Sequence, residues 1–299
     1  MRTEEKRKRI VHFRKTLIPI LFILPALALN ILVVLGPSLA NFYFAFTKWS
    51  GLGMPKFVGL ANFSRLIHDE IFYIALSHNI RWTIIYVTIP IVMGFLGALL
   101  VARAGRCKVI FRTIFFVPVI IAPVVYGQLW KNIYHPHKGI GVWLAQHGLP
   151  WANLKFLGDT RFSLYSIAFA DNWHWWGFLV VVFLAAMQQI DPAFYESARV
   201  EGANRWQEFW YITLPLVKPT LTFMLLMTVV WSFLAFDIIY IMTGGGPGYS
   251  SEVLGTYLYK RAFTTFEAGY GASIGVMIAA FCSIFIFTFI FLRKKGGEI

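Results

Sequence analysis

WTIIYVTIPIVMGFLGALLVA, residues 82–102, holds twenty-one positions and not one charge. Crossing a hydrocarbon core of ~30 Å takes about 20 helical residues at ~1.5 Å each, so this run is long enough to span a bilayer. Five more runs of the same kind lie at 17–36, 113–130, 164–187, 220–242 and 269–292. The reading is an all-α integral membrane protein with six transmembrane helices. Composition agrees: of 299 residues, 58% are hydrophobic and only 14% charged, too little charge to cover a soluble domain. Pro19, Pro25, Pro90, Pro118 and Pro123 fall inside runs, where neighbouring helices re-satisfy the carbonyls a proline frees. The first run continues past Pro37 through 41–46 and is expected to extend as helix beyond the bilayer.

Working outward, residues 1–16 form a basic tail, 17–292 the membrane domain with a polar loop at 189–218, and 293–299 a second tail. The apolar run after the basic N-terminus is too long for a cleavable signal core, and more spans follow it. Cys107 sits in a basic loop and Cys282 inside an apolar run, so no disulfide is expected. The net charge of +13 does not point to nucleic acid, because the basic residues flank apolar runs, where they set topology against membrane lipids. The N-terminal tail (Arg2 to Lys15), the 103–112 loop, the 199–218 segment and the C-terminal tail together hold seventeen of the 27 Lys and Arg. The positive-inside rule therefore puts both termini in the cytoplasm. The opposite loops, 47–81, 131–163 and 243–268, carry Trp49, Trp143 and Trp151, as interfacial segments do.

The polar loop 189–218 predicts two short helices. Asp191 can cap the first, with Pro192 in its first turn, and Gly202 can end it at positive φ. Asn204 with Gln207 has the form of a capping box opening the second, and Pro215 is expected to stop it. A helix–Gly–helix elbow makes a stiff knob for docking into a partner. It equally suits an amphipathic hairpin on the headgroups, with Phe194, Trp206 and Trp210 inserted.

The spacing of this loop resembles the EAA motif of binding-protein-dependent ABC permeases. Glu196-Ser197-Ala198, Gly202, Ile212 and Leu214-Pro215 stand at the motif's positions, with Ser197 where the pattern has alanine. Residues 57–63 (FVGLANF), Phe111-Arg112-Thr113 before Val117-Pro118, and 236–247 (FDIIYIMTGGGP) extend the likeness toward the maltose-type carbohydrate importers. The resemblance implies the type I importer permease fold, in its six-span form, at a bacterial inner membrane. It implies assembly with a second homologous permease, two ATP-binding-cassette ATPases holding ATP and Mg, and an extracytoplasmic solute-binding protein. In that family the loop seats in a cleft of the ATPase, with Glu196 matching the acidic contact and Gly202 the elbow. No cofactor is expected on this chain itself.

A substrate path is expected between the fourth and fifth runs, where the family places its cavity. At helical spacing, His174, Trp175 and Phe178 share a face with Asp171, and Thr228, Trp231, Ser232 and Ala235 share another. Aromatic faces that pack on C–H patches, together with fixed hydrogen-bonding groups, suit a carbohydrate. Packing against neighbouring helices is the plainer alternative, with Asp171 as a cap or facing the outer interface and Asp237 structural. Residues 244–251 (GGGPGYSS) lack the lysine of a phosphate loop and read as a turn. His135-Pro136-His137 has no acidic or cysteine company and reads as ordinary loop, not metal. An ion-coupled carrier would want paired carboxylates within the bilayer, whereas the six runs hold only Asp171 and Asp237 as acids. A membrane-embedded glycosyl transferase would want acids or nucleophiles converging on one face, and these are scattered. A mild basic excess on the outer segments leaves an acidic oligosaccharide or glycerol phosphodiester open beside a neutral di- or oligosaccharide.

Overall fold

A computed structural model describes residues 18–150 and 154–295. Residues 1–16 with their basic cluster, Leu17, Trp151 and residues 296–299 lie outside the described residues. Among the described residues five helices are long and apolar enough to cross a membrane: Ile18–Phe44, Glu70–Arg103, Ser163–Gln188, Arg205–Met242 and Ala268–Phe291. A sixth span results if Gly105–Ile120 and Pro123–Ile133, bent by 94° at their junction, are taken together. They are called here the first to sixth spans in chain order. Among the described residues the strands amount to one antiparallel pair, Thr47–Lys48 with Lys56–Phe57.

Three expectations need correction. The run at 113–130 is not one straight rod: the chain breaks between Ile120 and Pro123, where Ile121 is extended and Pro123 starts the second arm. The run at 220–242 breaks too, because helix Leu214–Phe233 ends before Phe236 and Asp237–Met242 starts afresh. Pro215 does not stop the helix before it. Leu214 is helical (φ −62°, ψ −46°), and a π turn at Phe209–Thr213 carries the chain into the fifth span. The first span passes Pro37 the same way, with a π turn at Ile31–Leu35 just before it. Proline ends a helix because its ring strikes the carbonyl four residues back. A turn widened to i→i+5 bonds moves that carbonyl aside, and the helix goes on.

The fourth span is the hub. Leu179, Val180, Phe183 and Leu184 are buried against Ile91, Phe95, Ala98 and Val101 of the second. Small residues let the backbones meet: a methyl on Gly94 would lie 2.5 Å from Leu179 Cβ, and one on Gly177 would overlap the Phe115 carbonyl oxygen. In a bilayer, where lipid is as apolar as leucine, such close contact replaces hydrophobic drive. Asn79, fully buried on the second span, donates to the Ser232 carbonyl (3.2 Å) and accepts from the Leu254 N–H (2.7 Å). The first span is the least buried of the long helices, its most apolar stretch having no buried residue, and it meets the sixth span along Gly36–Phe44.

The end of the bundle away from the 189–218 loop is tied by ions and phenols. Asp69 caps the second span through the Ile71 N–H (2.9 Å) and accepts from Tyr257 and Tyr270. Glu267 takes Arg65 at 2.6 Å and Arg261 at 3.0 Å. Burial alone would push the Asp69 carboxyl up, but the two phenols and two backbone N–H groups outweigh it and hold it below its ordinary value. The Arg65 hydrogen bond, against a smaller effect of burial, holds Glu267 low as well.

Two outcomes follow. Gly177→Ala should cost about 1–3 kcal/mol through overpacking and lower the thermal midpoint in detergent; an unchanged midpoint would refute the close approach to Phe115. Carboxyls whose folded pKa lies below the unfolded one stabilise above about pH 4 and lose that contribution as pH falls through the folded value. Hydrogen exchange in residues 254–267 should therefore be flat from pH 7 to about pH 5, once corrected for intrinsic rates, and accelerate below about pH 4.

Candidate functional site

The 189–218 loop folds as its local chemistry dictates. Asp191 accepts from the Ala193 N–H at 2.9 Å, and Pro192 opens helix Pro192–Val200. The helix closes with Gly202 at φ +83°, the Gly202 N–H on the Arg199 carbonyl (3.0 Å) and the Ala203 N–H on that of Ala198 (2.9 Å). That paired 5→2 and 6→1 pattern needs a left-handed residue, which glycine takes without cost. Asn204 then accepts from the N–H groups of Trp206 and Gln207, each at 3.0 Å, and Gln207 returns a bond from the Asn204 N–H at 2.8 Å.

Side chains absent from the spacing argument lock the two helices. Arg199 Nε donates to Glu208 at 2.7 Å, and Tyr195 shares a hydrogen bond with Thr213 at 2.9 Å. Glu208 is buried although its partner is exposed. The seven residues expected to act together divide into two kinds. Glu196, Ser197 and Gly202 are exposed on the elbow, as is Pro215 at the head of the fifth span. Leu214 packs against the core of the second and fourth spans, and Ala198 and Ile212 are half-buried, so these root the knob. Phe194, Val200, Trp206 and Tyr211 stand out from it by more than half their surface.

A cavity of about 250 Å³ opens roughly midway along the fourth span. Both helix breaks border it: Pro123 and Tyr126 from the third span, Leu234 to Ile238 from the fifth. Non-helical backbone at membrane depth survives where it lines such a space. Of the expected path residues, His174, Trp175, Thr228, Trp231 and Ala235 line it. The indoles of Trp175 and Trp231 meet edge to face, centroids 4.7 Å apart at 87°. Thr228 Oγ1 and Trp175 Nε1 are buried with no hydrogen-bond partner among the described residues.

Two expected residues are not at the cavity. Phe178 lies one turn on, stacked beneath Trp175 at 5.0 Å. Ser232 turns away, bonding the Val229 carbonyl (2.7 Å) and the Thr83 hydroxyl (2.6 Å) of the second span. The shared face of the fifth span fails at Ala235 also, since the helix has ended by then. Asp171 neither caps a helix nor faces outward: it accepts from Tyr86 and, at 2.5 Å, from Tyr126. Trp82 and Tyr86, stacked at 5.2 Å, are lining residues that sequence reading missed. Their signal was an aromatic pair four apart within an aliphatic run. At the other end, His135 Nδ1 accepts the His137 N–H at 3.1 Å, closing a loop turn. In the 244–251 turn, the hydroxyls of Ser163 and Ser251 both donate to the Gly246 carbonyl.

Membrane helices broken around an aromatic cavity, with a rigid elbow at one end, define an embedded transport subunit. The chain belongs to the family of binding-protein-dependent transport system inner membrane components, whose model matches residues 81–294. It is a multi-pass permease subunit of the inner membrane. A probable ABC transporter permease protein, YurN of Bacillus subtilis, is 36% identical over 88% of this chain and 91% of its own. The lactose transport system permease protein LacF of Rhizobium radiobacter is 30% identical over 89% and 91%. In fold the chain matches a bacterial ABC transporter involved in import of the acidic polysaccharide alginate, with TM-score 0.84, 22% identity, and coverage of 96% and 99%. The carrier and transferase readings fall to this membership.

Asn204→Ala removes the acceptor for two N–H groups and should cost about 1 kcal/mol. Amide exchange at Trp206 and Gln207 should then quicken roughly fivefold. No change at those amides would mean that the cap does not hold the second loop helix.

Proposed function

We propose that this chain is one of two homologous permeases in an ABC importer that brings a di- or oligosaccharide into the cytoplasm. In this reading both termini and the 189–218 elbow face the cytoplasm. The elbow seats in an ATPase subunit, one of two that bind ATP and Mg, and the chain itself holds no ATPase site. A solute-binding protein delivers cargo to the far end. Closure of the ATPases on ATP moves the elbow as a unit, because Arg199–Glu208 and Tyr195–Thr213 join its helices and Leu214 roots it in the fourth-span core. The spans rock with it, and the cavity faces the two sides in turn.

The observation that carries the sugar reading is the cavity wall. Two perpendicular indoles beside an unpartnered hydroxyl and an unpartnered indole N–H offer a C–H stacking surface and fixed hydrogen bonds, the pairing a sugar ring requires. The relative named for lactose transport supports the same choice.

Two measurements on the reconstituted importer test this. Trp231→Ala should abolish ATP-dependent uptake while the subunits still copurify; normal uptake would remove Trp231 from the path. A cysteine at Glu196 should crosslink to the ATPase. Absence of that crosslink, or uptake without nucleotide, would overturn the coupling role.

A further inference from the structure

We propose that Asp237 is the charge-selecting contact of the cavity, admitting uncharged hydroxyl-bearing sugars and turning away those with carboxylate or phosphate groups. The inference rests on the sugar-cavity reading above and names the substrate class within it.

The acidic side chains described at the cavity are two carboxylates, accompanied by one histidine. Its lining includes Asp171, Asp237 and His174, and among the described lining residues there is no Lys or Arg. Asp171 is spoken for, each oxygen taken by a tyrosine hydroxyl. His174 is stacked flat on Tyr126, centroids 4.3 Å apart. Asp237 is different. It lies just past the break in the fifth span, is exposed, and has no hydrogen-bond or ionic partner among the described residues. Two cations of the outer loops are engaged elsewhere: Lys131 donates to the Ile241 carbonyl at 3.2 Å, and Lys260 pairs with buried Glu252. At the far end, Arg65 and Arg261 are held by Glu267.

The remaining polar atoms fit a hydroxylated, uncharged guest. A sugar hydroxyl both donates and accepts. It can donate to the Asp237 carboxylate and accept from Trp175 Nε1, while fully buried Thr228 Oγ1 can do either. An anionic group could accept from the indole but would face an unneutralised carboxylate in a setting less polarisable than water, where like-charge repulsion strengthens.

The test uses the assembled importer in detergent, free of its binding protein, so that delivery does not filter the probes. Saturation-transfer NMR reads weak binding of a neutral disaccharide (lactose, maltose or trehalose) and of a disaccharide of equal size ending in a uronic acid. The wild type should bind the acid at least tenfold more weakly. In Asp237→Asn that ratio should fall below threefold, whereas Asp237→Glu should keep it. Thr228→Val should weaken the neutral probe yet leave discrimination against the acid in place. Equal binding of both probes by the wild type would overturn the proposal, as would an Asp237→Asn variant that weakens both by one factor. If no neutral probe binds the wild type at all, the sugar-cavity reading falls first and this inference with it.

Discussion

A carboxylate midway along a transmembrane helix must be hydrogen-bonded, or it costs about 2.5–3.5 kcal/mol or more to keep there. Asp171 meets that demand by drawing Tyr86 from the second span and Tyr126 from the second arm of the third. Three spans are thereby pinned at one depth, and much else follows from the pin. The third span must break to bring Tyr126 inward, and its break and that of the fifth then border the same space. Trp82, stacked on Tyr86, and His174, stacked on Tyr126, become wall rather than lipid-facing surface.

The bundle is tight on one side of this pin and open on the other. Toward the elbow, glycines at 94 and 177 bring the second, third and fourth spans into close backbone approach. Around the cavity the packing gives way to large rings that touch edge to face and leave polar atoms without partners. A buried polar atom left unpaired costs stability, and in the proposed function a guest supplies the missing bond. The elbow belongs to the tight side, where Leu214 packs against the fourth-span core.

The π turns before Pro37 and Pro215 show how the chain reconciles proline with continuity. Without the second of these, the elbow and the fifth span would be separate pieces joined by flexible chain. With it, helix runs from Arg205 into the membrane, and Thr213 within the turn carries the bond from Tyr195.

The amino-acid sequence by itself determined the number of membrane runs, the caps of the elbow and its glycine hinge. Each depends on neighbours within about four residues or on the length of an apolar stretch, and these interactions are local. It also pointed to Trp175, Thr228 and Trp231 through helical spacing, which holds as long as the helix does. Only the tertiary structure decided where helices break. Pro215, predicted to end one, is carried through by a wide turn, while the 220–242 run, with no proline of its own, breaks before Asp237. It also decided that Ser232 bonds the second span, that Phe178 backs the wall instead of lining it, and that Asp171 is held by phenols 85 and 45 residues away. Those outcomes turn on which polar group finds a partner across the bundle. Spacing along one helix carries no record of the helix opposite.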